Sequence, residues 1–292
     1  MLNHKKMSLY DAAILAVLLA ITFISLVPLL YTVALSLSDS AAAQGGMVFL
    51  WPVNFSLASY EKVVADVRFF NAFGISVERV LLGGGVNFVL TCMMGFALSK
   101  ETKEFRFRNA YMWVLVFTMM FHGGLIPWYL TVKNYGLINS IWSLILPGAV
   151  PVFNVILLMN FFRKIPKEMN EAAVIDGAGP WYTMLMLYVP LSLPALSTVT
   201  LFSVINHWNS FFDGLVFMSK ANRFPLATYI QSIVVQLHTE VLSTDELIEL
   251  TKISTKTLNA AKIIVAMVPI LLIYPFAQKY FISGITLGSV KE

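Results

Sequence analysis

Asn206, His207, Trp208, Asn209 and Asp213 bring amide, imidazole, indole and carboxylate groups into one short stretch. Sugar hydroxyls need exchangeable donors and acceptors beside an aromatic platform, and this set supplies both. On a continuous helix, Asn206, Asn209 and Asp213 share one face at spacings of three and four. Asn154 and His122 are outlying polar groups of the same kind. A pathway for a hydroxyl-rich solute is one use of these residues. Hydrogen bonding between neighbouring helices is another, since Asn and His often bond across helices in a bilayer.

The second constellation lies between residues 163 and 190, RKIPKEMNEAAVIDGAGPWYTMLMLYVP. Pro166 can open a helix where its missing N–H costs nothing, and Gly177 can close it in a left-handed cap. The result is a helix of about three turns, with Met169, Ala172, Ala173 and Asp176 on one face. Two alanines there permit close approach by a partner surface. Asp176 sits at the negative end of the helix dipole, a disfavoured place for a carboxylate. Acceptance of the N–H of Ala178 or Gly179 in an Asx-turn would compensate and would cap the next helix. That second helix starts at Pro180 and is expected to stop before Pro190. Glu171 stands exposed near the middle of the first. Helix, tight turn and helix is more construction than a connector needs, and it reads as a docking motif.

Other chemistries lack their residues. His4, His122, His207 and His238 are scattered over separate segments, and Cys92 is the single cysteine, so no metal set or disulfide is expected. No catalytic group is expected. A phosphate-binding GxxxxGK[ST] loop is missing, so this chain should not itself hydrolyse ATP.

The elements that carry these residues are apolar. Of 292 residues, 58% are hydrophobic and 12% charged, and the mean hydropathy is +0.75, which argues for lipid and against an ordinary soluble enzyme. Stretches near 12–35, 70–98, 110–131, 141–162, 191–217 and 260–282 are each long enough to span a bilayer. The first exceeds a signal-peptide core and is expected to be retained, although Ala41, Ala42 and Ala43 offer small residues for cleavage. The net charge of +4 is read by position. With the amino terminus inside, Lys5, Lys6, Lys100, Lys103, Arg106, Arg108, Arg163, Lys164, Lys167, Lys279 and Lys291 are cytoplasmic, which places both termini in the cytoplasm. The 163–190 loop is then cytoplasmic, and 219–259 forms an external loop of two amphipathic pieces, around 225–237 and 244–258. Pro28, Pro127, Pro147, Pro151, Pro194, Pro269 and Pro275 and the run Gly83, Gly84, Gly85 are expected to weaken straight helices in the spans. Glu78 and Arg79 are ionisable groups inside the second span, expected to neutralise each other or to pair with another subunit. The expected architecture is an all-α integral membrane protein forming one permease domain.

Glu171, Ala172, Ala173 and Gly177, with Pro190 and Pro194 beyond, resemble the EAA signature of permease subunits in binding-protein-dependent ABC importers. LWPVNFS at 50–56, GGLIPWYL at 123–130, HWNSFFD at 207–213 and GITLGSVK at 284–291 extend the resemblance over the chain. Together they are similar to the carbohydrate-uptake branch, the MalG-like and LplC-type permeases, and to the shorter permease of alginate importers. The resemblance implies the type I ABC importer permease fold with six transmembrane helices in the bacterial cytoplasmic (inner) membrane. It implies a second permease subunit, an ATPase dimer that binds ATP and Mg, and an extracytoplasmic solute-binding protein. No cofactor is expected on this chain and no nucleic acid among its partners; membrane lipid surrounds it. Glu171 would pair with a basic group of the ATPase, Ala172 and Ala173 would pack in its groove, and Gly177 would make the turn. The tail from Gly284 resembles the segment that approaches the ATPase interface. The implied solute is an oligosaccharide, and Lys220 and Arg223 are consistent with an acidic one such as alginate. The alternative is a self-sufficient secondary transporter, which would use intramembrane carboxylates, Glu78 or Asp213, as ion sites.

Overall fold

The computed structural model describes residues 9–236 and 255–289, with side chains through 234 in the first stretch and through 275 in the second. All regular structure among the described residues is helical. The chain divides into two units, one made of 1–67 with 232–267 and one made of 68–231 with 268–292.

In the first unit, α1 (Leu9–Ser36) is a 28-residue helix whose most apolar stretch buries nothing within the chain. Its hydroxyls are satisfied internally: Thr22 donates to the carbonyl of Leu18 at 2.8 Å, Ser25 to Ile21 at 2.9 Å and Thr32 to Pro28 at 2.8 Å. In hydrocarbon no water replaces such bonds. Only its last turn, Ala34, Leu35 and Ser36, is buried. There it packs with Ala42 and Ala43 of α2 (Ser40–Gln44) and with Val48 and Ala260. Two of the three alanines that offered small residues for cleavage, Ala42 and Ala43, are core, while Ala41 is exposed. In α3 (Ala58–Ala65), Ser59 donates to Thr257 at 3.0 Å, and just beyond it Asp66 meets Lys262 at 2.6 Å.

The second unit is built on α4 (Val67–Ser99), a helix of 33 residues that the three glycines do not break. After it come α5 (Arg108–Met120) and α6 (Leu125–Asn134), then α7 (Ile141–Ile145) with a 3₁₀ turn at Leu146–Gly148, and α8 (Val152–Phe162). The chain continues through α9 (Lys167–Ile175), α10 (Pro180–Thr183), a π turn at Met184–Tyr188 and α11 (Val189–Leu191). It closes with α12 (Leu193–Asn209), α13 (Phe212–Phe217), α14 (Leu226–Gln236) and α15 (Thr255–Ser289). Cys92 and Phe96 of α4, Leu158 and Phe162 of α8, and Ala195 and Leu196 of α12 meet with Met184 and Tyr188 in one core cluster.

Three helices, α1, α4 and the described part of α15, are long and apolar enough to cross a membrane, and three bent pairs raise the number to six. The span expected at 110–131 is not straight: α5 and α6 meet at 116°. Gly124 between them takes φ +91°, which a side chain resists, and its N–H bonds to His122 Nδ1 at 3.2 Å. The span expected at 141–162 bends by 48° between Gly148 and Val152. The one expected at 191–217 divides at Ser210 and Phe211 into α12 and α13, and α12 meets the preceding Pro180–Leu191 stretch at 89°. Of the two amphipathic pieces expected outside, the first is α14. Most of the second lies outside the described residues, as do residues 290–292 of the tail.

Candidate coupling and translocation sites

Pro166 stands immediately before α9 with ψ 136°, as N-cap rather than first helical residue. The helix has nine residues and buries none of them. Its end is a Schellman closure. The Ala178 N–H reaches the Ala173 carbonyl at 2.9 Å, the Gly177 N–H reaches Val174 at 3.0 Å, and Gly177 takes φ +78°. This corrects the reading of Asp176, because the Ala178 N–H is already held by the helix end and α10 has no side-chain cap. The next helix also differs: Pro190 lies inside α11 instead of ending the stretch, because the wider π turn before it accommodates a residue without an N–H.

Glu171, Ala172, Asp176 and Gly177 are exposed and Ala173 is half-buried. Beside them Val174, Ile175, Trp181 and Tyr182 present an apolar rim, with Ile175 85% exposed. On the inner side, a cavity of about 450 Å³ is lined by Lys100, Glu101, Arg108, Arg163, Asn170 and Glu171 among others. Lys100 donates to Asn170 at 2.6 Å, and Lys167 pairs with Glu101. Hydrogen bonding to each other holds the Glu101 carboxyl below its usual range and the Lys167 ammonium above its own. Burial lowers Lys100, with nearby Glu104 opposing.

The polar cluster of the fifth span separates. Asn154 and Asn206 line one cavity of about 440 Å³ together with Asn87, Ser203, Phe153 and Phe202. Asn154 donates to the Val199 carbonyl at 3.1 Å and to Ser203 at 3.2 Å. Trp208 is buried, edge-on to Phe73 at 5.6 Å, and Asn209 is exposed at the end of α12, so neither lines that cavity. Asp213 does not share a helical face with Asn206 and Asn209, because the break at Ser210 puts it on α13.

Asp213 instead forms a buried ion pair with Arg79. Arg79 also donates to the carbonyls of Ser210 at 3.2 Å and Leu144 at 3.4 Å, while Asp213 accepts from Ser210 Oγ and the Gly214 N–H, both at 2.9 Å. The charge of Arg79 is therefore balanced by Asp213, although its Nε is buried without a hydrogen-bond partner, and Glu78 is exposed, which corrects the expectation that Glu78 and Arg79 neutralise each other. Each charge has the opposite sign it needs, as burial requires.

Asn87 and Ser203 were not singled out from the sequence. Asn87 donates to the carbonyls of Gly148 at 2.8 Å and Ala149 at 3.1 Å, so its oxygen is left to accept from His207 Nε2 at 2.5 Å. A β-carbon on Gly83 would lie 2.6 Å from the His207 ring, so at least one glycine of the triplet serves close packing. The signal available for Asn87 was an amide one turn after Gly83 and two residues past the triplet.

Residues 87–287 match the family described as binding-protein-dependent transport system inner membrane component. A polygalacturonan/rhamnogalacturonan transport system permease protein, YtcP of Bacillus subtilis (strain 168), is 34% identical over 98% of this chain and 99% of its own. Protein LplC of the same organism is 32% identical over 99% of this chain and 97% of its own. In a crystal structure of a bacterial ABC transporter involved in the import of the acidic polysaccharide alginate, one chain superposes with a TM-score of 0.87 at 30% identity, over 96% of this chain and all of that one. With the family match covering 87–287 and the relatives running nearly end to end over a set of apolar, bent helices, this chain belongs to the inner-membrane permease components of binding-protein-dependent transport systems.

Proposed function

We propose that this chain is one of two permease subunits of an ATP-driven importer for an oligosaccharide. In this reading six spans lie in the bacterial cytoplasmic membrane with both termini cytoplasmic. A second permease completes the pathway, an extracytoplasmic binding protein delivers solute, and a separate ATPase dimer holds ATP and Mg. The observation that carries the reading is α9: a helix without a buried residue, closed by a Gly177 cap and flanked by exposed apolar side chains. Such a surface suits docking into a groove of another subunit. Glu171, Ala172 and Ala173 meet the ATPase there, and Asp176 and Gly177 shape the turn. The names of YtcP and of the alginate transporter support an acidic oligosaccharide.

On the pathway side, Asn206 and Asn154 offer amides to hydroxyl groups beside Phe153 and Phe202. Trp208, Asn209 and Asp213 have other surroundings, and Asp213 serves to balance Arg79. That pairing also weighs against a secondary transporter, which needs a carboxylate free to take an ion.

Purification of the tagged chain from its own cells, with mass spectrometry of stoichiometric partners, tests the assembly. A second permease and a protein bearing a GxxxxGK[ST] loop are expected. The chain purifying alone and transporting in vesicles without ATP would remove the reading. Uptake of alginate and polygalacturonan fragments against neutral oligosaccharides then tests the solute, with the acidic fragments expected to be taken up.

A further inference from the structure

Where α4 ends, one ammonium group joins three elements. Lys100 Nζ lies 4.5 Å from the ring centre of Phe96, one turn earlier on its own helix, and 4.8 Å from that of Tyr188, in the π turn. The two rings meet edge-on at 4.9 Å, and Phe162 of α8 closes on Tyr188 at 5.4 Å. From between the rings Nζ donates to Asn170 on α9 at 2.6 Å and approaches Tyr188 Oη at 3.4 Å. The Lys100 side chain is only 16% exposed. A largely desolvated cation held by two aromatic faces and one charge-assisted hydrogen bond, with half-exposed Glu104 at 3.9 Å as its counter-charge, is a strong and directional tie.

The other tie between the same two regions is of a different kind. Lys167 and Glu101 pair with side chains 74% and 49% exposed, a geometry that salt screens and that contributes little. Of these two ties, the one through Lys100 is built to hold under load.

We propose that Lys100 is the positioning residue that makes α9 and α4 move together, so that displacement of the docking helix is carried into the second span. The inference rests on the coupling role proposed above for α9. It adds that the load passes through the Asn170 amide and the Phe96–Tyr188 cage, not through the exposed ion pair. Just ahead of α9, Ile165 packs against the core cluster and Arg163 donates to the Leu98 carbonyl of α4 at 3.1 Å, which anchors the approach; α9 itself buries nothing, so the helix proper depends on its side-chain ties.

The test uses the assembled complex with its ATPase, spin labels at Val89→Cys on α4 and Glu168→Cys on α9 in a Cys92→Ala background, and trapping with ATP and vanadate. In the otherwise unaltered chain and in Lys100→Arg, whose guanidinium also stacks on rings, the distance between the labels should not change on trapping. In Lys100→Met, which fills the space without charge, the distance should shift by about 2 Å or more and its distribution broaden, the size of helix shifts in known transitions. Lys167→Ala should behave as the unaltered chain. An unchanged distance in Lys100→Met on trapping overturns the proposal, as does a distance that already changes with Lys100 in place. Should Lys100→Met fail to assemble, Asn170→Leu, which leaves the lysine between its rings and removes only the grip on α9, is judged by the same distance. If the unaltered chain binds no ATPase, the coupling role itself falls and this inference with it; normal assembly and trapping with no effect of Lys100→Met removes Lys100 alone.

Discussion

Gly83 and His207 show how one hydrogen atom in place of a side chain sets the distance between two spans. A methyl group on Gly83 would stand 2.6 Å from the imidazole, whereas Gly84 and Gly85 face open space. Gly83→Ala should therefore cost about 1–3 kcal/mol by overpacking, while Gly85→Ala should be neutral or stabilising by about 0.5–1 kcal/mol. Thermal unfolding of the detergent-solubilised variants checks the contrast, and equal melting temperatures would contradict the packing role of Gly83. Gly177 differs in kind: nothing lies near its absent side chain, and only its φ of +78° demands glycine. Gly177→Val is expected to penalise the left-handed cap by about 1–2 kcal/mol, leaving membrane insertion intact while separating ATP hydrolysis from transport. Normal solute uptake per ATP in that variant would argue against docking through α9. This cap could be read from the sequence because it is local: a proline, an alanine-bearing face and a glycine eleven residues after the proline. The pairing of Arg79 with Asp213 was not, because 134 positions separate them and adjacency made Glu78 the apparent partner.

At the scale of elements, apolar composition located the spans, and conformation at single residues decided their course. The stretch 110–131 is apolar throughout, yet Gly124 turns it by 116°. Hydropathy windows average over such a residue and cannot see it. The break between α12 and α13 was hidden in the same way, and with it the fate of Asp213, whose expected place beside Asn206 and Asn209 assumed an unbroken helix. Arg79 of α4 holds both Ser210 at that break and Asp213 just beyond it, so removal of the pair should act on the element and not only on the residue. Asp213→Ala is expected to destabilise by about 3–5 kcal/mol, by leaving the guanidinium buried without a counter-charge, and an Arg79→Met, Asp213→Leu double variant by much less. Melting temperatures of the three proteins decide it; additive losses would show that the charges do not depend on each other.

For the molecule as a whole, the exposed apolar surface falls into two kinds. The apolar stretch of α1 buries none of itself in this chain, as expected of a surface for lipid or a second subunit. Around α9 the exposed residues are fewer and lie beside charged groups, as suits contact with a soluble protein. The single cysteine, Cys92, is buried in the α4 core cluster, so the chain offers a nearly silent background for thiol chemistry. Ile175→Cys should react readily with a water-soluble maleimide in the free chain and become protected when the ATPase is bound. Equal labelling in both states would place the ATPase elsewhere.

The buried Arg79–Asp213 pair also constrains how this chain can diverge. Either residue changed alone leaves an uncompensated charge in the packed interior, so the route to any other pair passes through a poorly folded intermediate. The two positions are therefore expected to covary among relatives, exchanged together for apolar residues or kept together as ions, with each substitution conditional on the other.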